Sequence, residues 1–127
     1  MLDDEADLTV IDLEAGLDHL ERSSGTVAHV ARLVVVLEPS RKSEVTAARI
    51  VALARAHGIE GCVLVANKGG DGDEADFTAV ARRLGVPLAG TVPHTPGIAD
   101  ADRAGAGLSL AQGRLGAAVE AILGSLA

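Results

Sequence analysis

Leu33-Val34-Val35-Val36-Leu37-Glu38-Pro39-Ser40 is a run of five aliphatic residues closed by a carboxylate, a proline and a serine. An unalternated run of this length predicts a strand buried on both faces, because branched side chains pack well on a pleated surface. The period then changes: Ala47, Ile50, Val51 and Ala54 recur at i, i+3, i+4 and i+7, which puts them on one stripe of a helix. Downstream the pattern repeats. Cys62 to Ala66 is a second apolar run, Phe77, Val80, Ala81 and Leu84 form a second helical stripe, and Leu88 to Val92 is a third run. Upstream, Leu8 to Leu13 reads as a further strand. Leu115, Ala118, Val119, Ile122 and Leu126 close the chain at helical spacing, in a helix expected over Leu110 to Leu126. Gly58 and Gly85 stand where a left-handed C-terminal cap is wanted, Asp73 can cap the second helix, and Thr95-Pro96 is expected to open a short helix toward Asp102. Strands alternating with helices are joined in parallel by crossovers, so the expectation is an α/β chain with a mostly parallel sheet of about four strands flanked by helices.

Composition narrows the function. The 127 residues are 48% hydrophobic, enough for one domain's core, and residues 1–127 are read as a single partial α/β unit. A formal net charge of -7 argues against nucleic acid and anionic membrane as partners, since both need clustered Lys and Arg. Phe77 is the single aromatic residue, so there is no ladder of rings for base stacking. The lone Cys62 cannot form an internal disulfide or a paired-cysteine metal site, and a packed, inert thiol is expected. His19, His29, His57 and His94 lack ligand spacing and read as surface or cap residues. An acidic first segment and the lack of a long apolar run predict a soluble, cytoplasmic protein.

In open parallel sheets ligands bind beyond the carboxyl ends of the strands. The run ending at Leu13 carries Asp12-Leu13-Glu14-Ala15-Gly16, a carboxylate followed four residues later by glycine. Such a carboxylate can hold the water shell of Mg²⁺ while the glycine backbone approaches a terminal phosphate; it can equally cap the next helix. The third run ends in Asn67-Lys68, whose carboxamide can pair with a nucleobase edge through donor and acceptor together, or form only a turn. A guanine site would want an aspartate two places after the lysine; Gly70 stands there, so adenine fits better. The last run ends in Pro93-His94-Thr95-Pro96.

Taken in order, Val10-Ile11-Asp12-Leu13-Glu14-Ala15-Gly16-Leu17-Asp18-His19-Leu20, Val35-Val36-Leu37-Glu38-Pro39-Ser40, Thr46-Ala47-Ala48-Arg49-Ile50, Ala66-Asn67-Lys68 and Ile98-Ala99-Asp100-Ala101-Asp102 resemble the C-terminal half of CooC-type ATPases. These are nickel-insertion accessory proteins of carbon monoxide dehydrogenase within the MinD/ParA group of P-loop NTPases. The resemblance implies a partial P-loop NTPase fold with ATP and Mg²⁺ as cofactors. Under it, Asp12 would hold the Mg²⁺ water shell, Gly16 would sense the terminal phosphate, Asn67 with Lys68 would meet adenine, and Pro93, His94 and Thr95 would flank the base.

One departure limits the likeness. Family members begin with a loop of the form G-K-G-G-x-G-K-[ST], whose backbone amides cradle the phosphates, and this sequence contains no such segment. The glycines at 69, 70 and 72 follow a lysine instead of preceding one, and Asp71 and Asp73 would repel phosphate. The Cys-x-Cys pair that would bind nickel is missing too, and no catalytic residue is identifiable. Two functions are therefore expected. One is the ATP-binding half of a CooC/MinD-like ATPase, a metallocenter-assembly accessory protein that needs a partner supplying the phosphate loop. The other is a non-enzymatic α/β interaction module. In the resembled family the phosphate-loop strand lies between the strand bearing Asp12 and the strand ending Glu38-Pro39-Ser40. Either Val10 and Ile11 pair directly with Val34 to Val36, or the edge recruits a second chain, as a homodimer or a complex with a phosphate-loop-bearing half; a metalloenzyme client is the further partner implied.

Overall fold

The computed structural model describes residues 8–13, 30–106 and 113–126. Its elements are β1 (Leu33–Leu37), α1 (Arg41–Ala56), β2 (Cys62–Gly69), α2 (Glu74–Leu84), β3 (Leu88–Pro93), α3 (Ile98–Arg103) and α4 (Gly113–Leu126). The three strands form one parallel sheet in the order β1-β2-β3. β2 lies in the middle, hydrogen-bonded on both sides, and Cys62 to Ala66 are buried throughout, as an unalternated apolar run requires.

Each face of the sheet has its own cover. Leu33, Val35 and Leu37 of β1 and Cys62, Leu64 and Ala66 of β2 point to one face. There they join Ala47, Val51 and Ala54 of α1 and Phe77, Val80 and Ala81 of α2 in a single core. The two helical stripes are thus the surfaces that meet the sheet. α1 is capped at its start by Ser40, whose hydroxyl accepts from Ser43 N–H at 3.2 Å, while Glu38 N–H donates to Ser43 Oγ at 2.9 Å. α2 ends at Gly85, in the left-handed conformation (φ 66°), and the Arg55 guanidinium donates to the Leu84 and Gly85 carbonyls at 2.8 and 3.1 Å, tying α1 to the end of α2.

The opposite face is covered by α4, which packs on β3. Ile122 is buried there, with Leu115, Ala118, Val119 and Leu126 half-buried along the same stripe. Contact is close because β3 has a glycine at the crossing: a Cβ on Gly90 would lie 2.5 Å from Ile122 Cγ1. Ser125 Oγ lies 2.7 Å from the Ile122 carbonyl oxygen of its own helix and 3.2 Å from that of Ala89 in the strand, so its one hydrogen is shared between the two. No described helix is long and apolar enough to cross a membrane.

Three expectations are corrected. Leu8–Leu13 is irregular, with Leu8, Val10 and Ile11 exposed and only Leu13 against the core, so the sheet has three strands and not about four. A strand persists only with a ladder partner, and Leu8–Leu13 takes none among the described residues; Val10 and Ile11 do not pair with Val34 to Val36. β1 is buried on one face only: Val34 and Val36 are exposed because α4 covers β3 and leaves the β1 end of that face open. The short helix begins at Ile98 behind Gly97 (φ 90°), and not at Thr95-Pro96, since Thr95 Oγ1 turns back to donate to the Pro93 carbonyl at 3.1 Å.

Gly90→Ala is expected to cost about 1–3 kcal/mol in urea unfolding by overpacking the α4 crossing. Ile122→Ala, which removes the Cγ1 that the new methyl would meet, is expected to cost less in the Gly90→Ala background than in the native chain, and additive effects would contradict the contact. Burial pushes the Cys62 thiol above its ordinary value of 9.0, with Arg55 partly offsetting it. A thiol raised in the folded state contributes stability that is fully present below about pH 9 and is lost as pH rises through the folded value. Between pH 7 and 10.5 the native chain should lose more stability than Cys62→Ala, and parallel pH curves would contradict this.

Candidate functional site

Parallel order brings the carboxyl ends of all three strands to one rim. At β1 the rim carries Glu38, at β2 Asn67 and Lys68, and at β3 Pro93, His94 and Thr95. The register pairs Asn67 with Val92 and Gly69 with Pro93, so Lys68 is an extra residue in β2, a bulge. Lys68 sits at φ 57°, the one left-handed non-glycine residue among those described. A lysine held there costs roughly 1–2 kcal/mol. Two bonds hold the kink in place: Lys68 N–H donates to Asn67 Oδ1 at 3.0 Å, and Lys68 Nζ meets Glu38 Oε1 at 2.7 Å across the strand ends. His94 N–H donates to the Gly69 carbonyl at 3.0 Å and joins β3's end to the bulge.

Behind the bulge, a Cβ at Gly69 would lie 3.0 Å from the Phe77 ring and 3.2 Å from the Thr91 methyl, so glycine lets β2 turn over α2. Gly70 N–H then donates to Asp73 Oδ2 at 2.8 Å. That carboxylate stands at the start of α2 without capping it, and occupies an amide that a phosphate would otherwise meet. Between α2 and the start of α1 runs a groove lined by Glu38, Ser40, Glu44, Asp73, Asp76 and Arg83. The guanidiniums of Arg41 and Arg83 both pair with Glu44, so an anion entering this groove would meet carboxylates with both cations engaged.

The rim therefore has unequal chemistry along its length. Asn67 is half-buried and, among the described residues, keeps both amide hydrogens and one carbonyl lone pair for a partner; His94, bonded through its N–H to the Gly69 carbonyl at the same rim, is exposed. A planar ring with a donor and an acceptor on one edge fits that arrangement. A polyphosphate with Mg²⁺ does not: Asp12 lies exposed on the irregular Leu8–Leu13 stretch and makes no hydrogen bond or ion pair to the described residues, and the glycine turn presents carboxylates. Gly16 lies outside the described residues, as do His19 and His29. Glu38 is the rim residue whose role the sequence did not disclose, because its ion pair depends on a bulge that no local pattern announced.

No family model matches the chain. Over 96 residues it is 40% identical to the carbon monoxide dehydrogenase accessory protein CooC of Rhodospirillum rubrum, covering 76% of this chain and 35% of that protein. Two ATP-binding proteins of Methanocaldococcus jannaschii are 32% and 35% identical, over 69% and 78% of this chain and 34% and 39% of their own lengths. The chain thus spans little more than a third of the curated relatives it matches. Among solved structures, the MinD cell division protein of Aquifex aeolicus superposes with a TM-score of 0.67 at 15% identity, over 79% of this chain and 45% of that one, so the chain has a MinD-like α/β fold. The likeness to the CooC type holds as partial homology.

Lys68→Gly is expected to leave the melting temperature unchanged or raise it, because release of the left-handed strain matches or exceeds one exposed ion pair worth about 0–1 kcal/mol. Lys68→Val, β-branched at positive φ, is expected to be clearly destabilised by comparison. Equal melting of the two variants would contradict the bulge conformation.

Proposed function

We propose that this chain, a partial homologue of the CooC accessory protein, is the base-contacting half of a CooC/MinD-like nucleotide site and is completed by a partner that supplies the phosphate loop. The homology supports a P-loop ATPase-related function. What carries the finer reading is the rim: a half-buried carboxamide, Asn67, held on a strained bulge beside His94 at the carboxyl ends of a parallel sheet. In this reading Asn67 bonds the adenine edge through its amide and its remaining carbonyl lone pair. Lys68, bridged to Glu38, fixes the carboxamide, and Pro93, His94 and Thr95 flank the ring. Asp12 with Mg²⁺, and Gly16 with the terminal phosphate, join the site only in the completed assembly. ATP bound there would supply a phosphoanhydride, and no step of its cleavage is assigned to residues of this chain. The client would be a metalloenzyme under assembly, and the compartment the cytoplasm.

A second reading, a non-enzymatic α/β interaction module, is favoured by one observation: the Gly70 amide is satisfied by Asp73 and the nearest guanidiniums by Glu44, so the phosphate end is filled with carboxylates.

Calorimetry separates the two. The isolated chain is expected to show no micromolar, Mg²⁺-dependent ATP binding, since the amides and lysines that supply most phosphate affinity are not in its sequence. Adding a polypeptide that carries the G-K-G-G-x-G-K-[ST] loop is expected to produce it. Micromolar binding by the chain alone would refute the division of the site, and none with the added polypeptide would favour the interaction module.

A further inference from the structure

The groups next to Asn67 decide what a bound ring can carry with it. β2 ends at Gly69, and the next amide, that of Gly70, is held by Asp73 Oδ2 at 2.8 Å. Glu38, at the end of β1, takes Lys68 Nζ on its Oε1 at 2.7 Å. Glu38 and Asp73 both line the groove between α2 and the start of α1, so that groove opens at the end of β2, within a few residues of the carboxamide. Its charges are set against anions. The two guanidiniums that line it, those of Arg41 and Arg83, are both paired with Glu44, while Asp73 and Asp76 have no cation of their own among the described residues.

Carboxylates sort ligands by the charge of what hangs from the ring. They accept from the hydroxyls of a sugar and attract an ammonium, and they repel a phosphate more strongly with each charge added. We propose that the rim formed by these residues is a site for adenine nucleosides whose sugar ends in a neutral or cationic group, and that Asp73 is the residue that turns phosphate away. This rests on the reading of Asn67 as the base contact, and it adds the class of ligand that the chain's own residues accept. Phosphates are then admitted only by groups that a partner brings.

Asp73 holds this role apart from the fold. Its side chain makes no capping bond to α2. The turn and the first helical bond are carried by its backbone, whose N–H donates to the Gly70 carbonyl at 3.3 Å and whose carbonyl accepts from Phe77 N–H at 3.0 Å. Replacing the carboxylate therefore leaves these bonds in place.

The test titrates the full, isotopically labelled chain at low salt, without added Mg²⁺, with a series that steps the charge. The series runs from the amino analogue of adenosine, in which an ammonium replaces the hydroxyl that AMP esterifies, through adenosine and AMP to ATP, and the amides of Asn67, Lys68, Gly69 and His94 report binding. Affinity is expected to fall in that order, by about tenfold or more between adenosine and ATP, and the gap to narrow as salt is raised. Asp73→Asn removes the charge and keeps an oxygen for the Gly70 amide, whereas Asp73→Ala removes both. The gap is expected to shrink in the first variant and further in the second, with adenosine bound as before. ATP held as tightly as adenosine by the native chain, or a gap that neither variant changes, would overturn the proposal and leave the base contact standing. If none of the series moves these amides, the base contact falls, and the proposal with it.

Discussion

The double hydrogen-bonding of β2 is the constraint on which the rest of the molecule depends. A strand paired in parallel on both sides cannot be reached by hairpins, so the chain must return each time through a helix, and α1 and α2 are those returns. Their apolar stripes meet the strand residues of one parity, and α4 meets the other parity at β3. Burial on both faces asks for side chains that are apolar at every position, which Cys62 to Ala66 supplies. Because all three strands run the same way, their carboxyl ends share one rim, and whatever chemistry the chain retains has to be gathered there.

That rim was bought with strain at a single position. Lys68 enters the left-handed region so that β2 can gain a residue on β3, and the displaced lysine finds Glu38 while its own amide finds Asn67. The result holds a carboxamide in one orientation at the end of the central strand. The neighbouring turn follows different chemistry: Asp73 takes the Gly70 amide, and Glu44 takes two guanidiniums. Adjacent parts of the same rim thus offer an amide group at one point and carboxylates at the next.

Most of the architecture was legible in the sequence because it rests on period. The stripes beginning at Ala47 and Phe77 and ending in the Leu115–Leu126 helix depend on spacing alone, and each is the buried surface of its helix. Leu8 to Leu13 was misleading because apolar composition cannot say whether a partner strand is present to satisfy the backbone. Val34 and Val36 misled in the same way, since their burial depends on how far α4 reaches across the sheet. At the site, Asn67 and Lys68 could be picked out by their place at a strand end. Glu38's link to Lys68 could not, because it arises from a bulge set by the register of β2 on β3, a tertiary choice.

The proposed assignment of the base to Asn67 and its neighbours is tested most directly by titrating the isolated, isotopically labelled chain with nucleosides and following its amides by NMR. Adenosine is expected to shift the amides of Asn67, Lys68, Gly69 and His94 together, with guanosine leaving them in place because Gly70 offers no carboxylate for its donors. Equal shifts with both nucleosides, or adenosine shifts confined to residues away from the strand ends, would contradict the account.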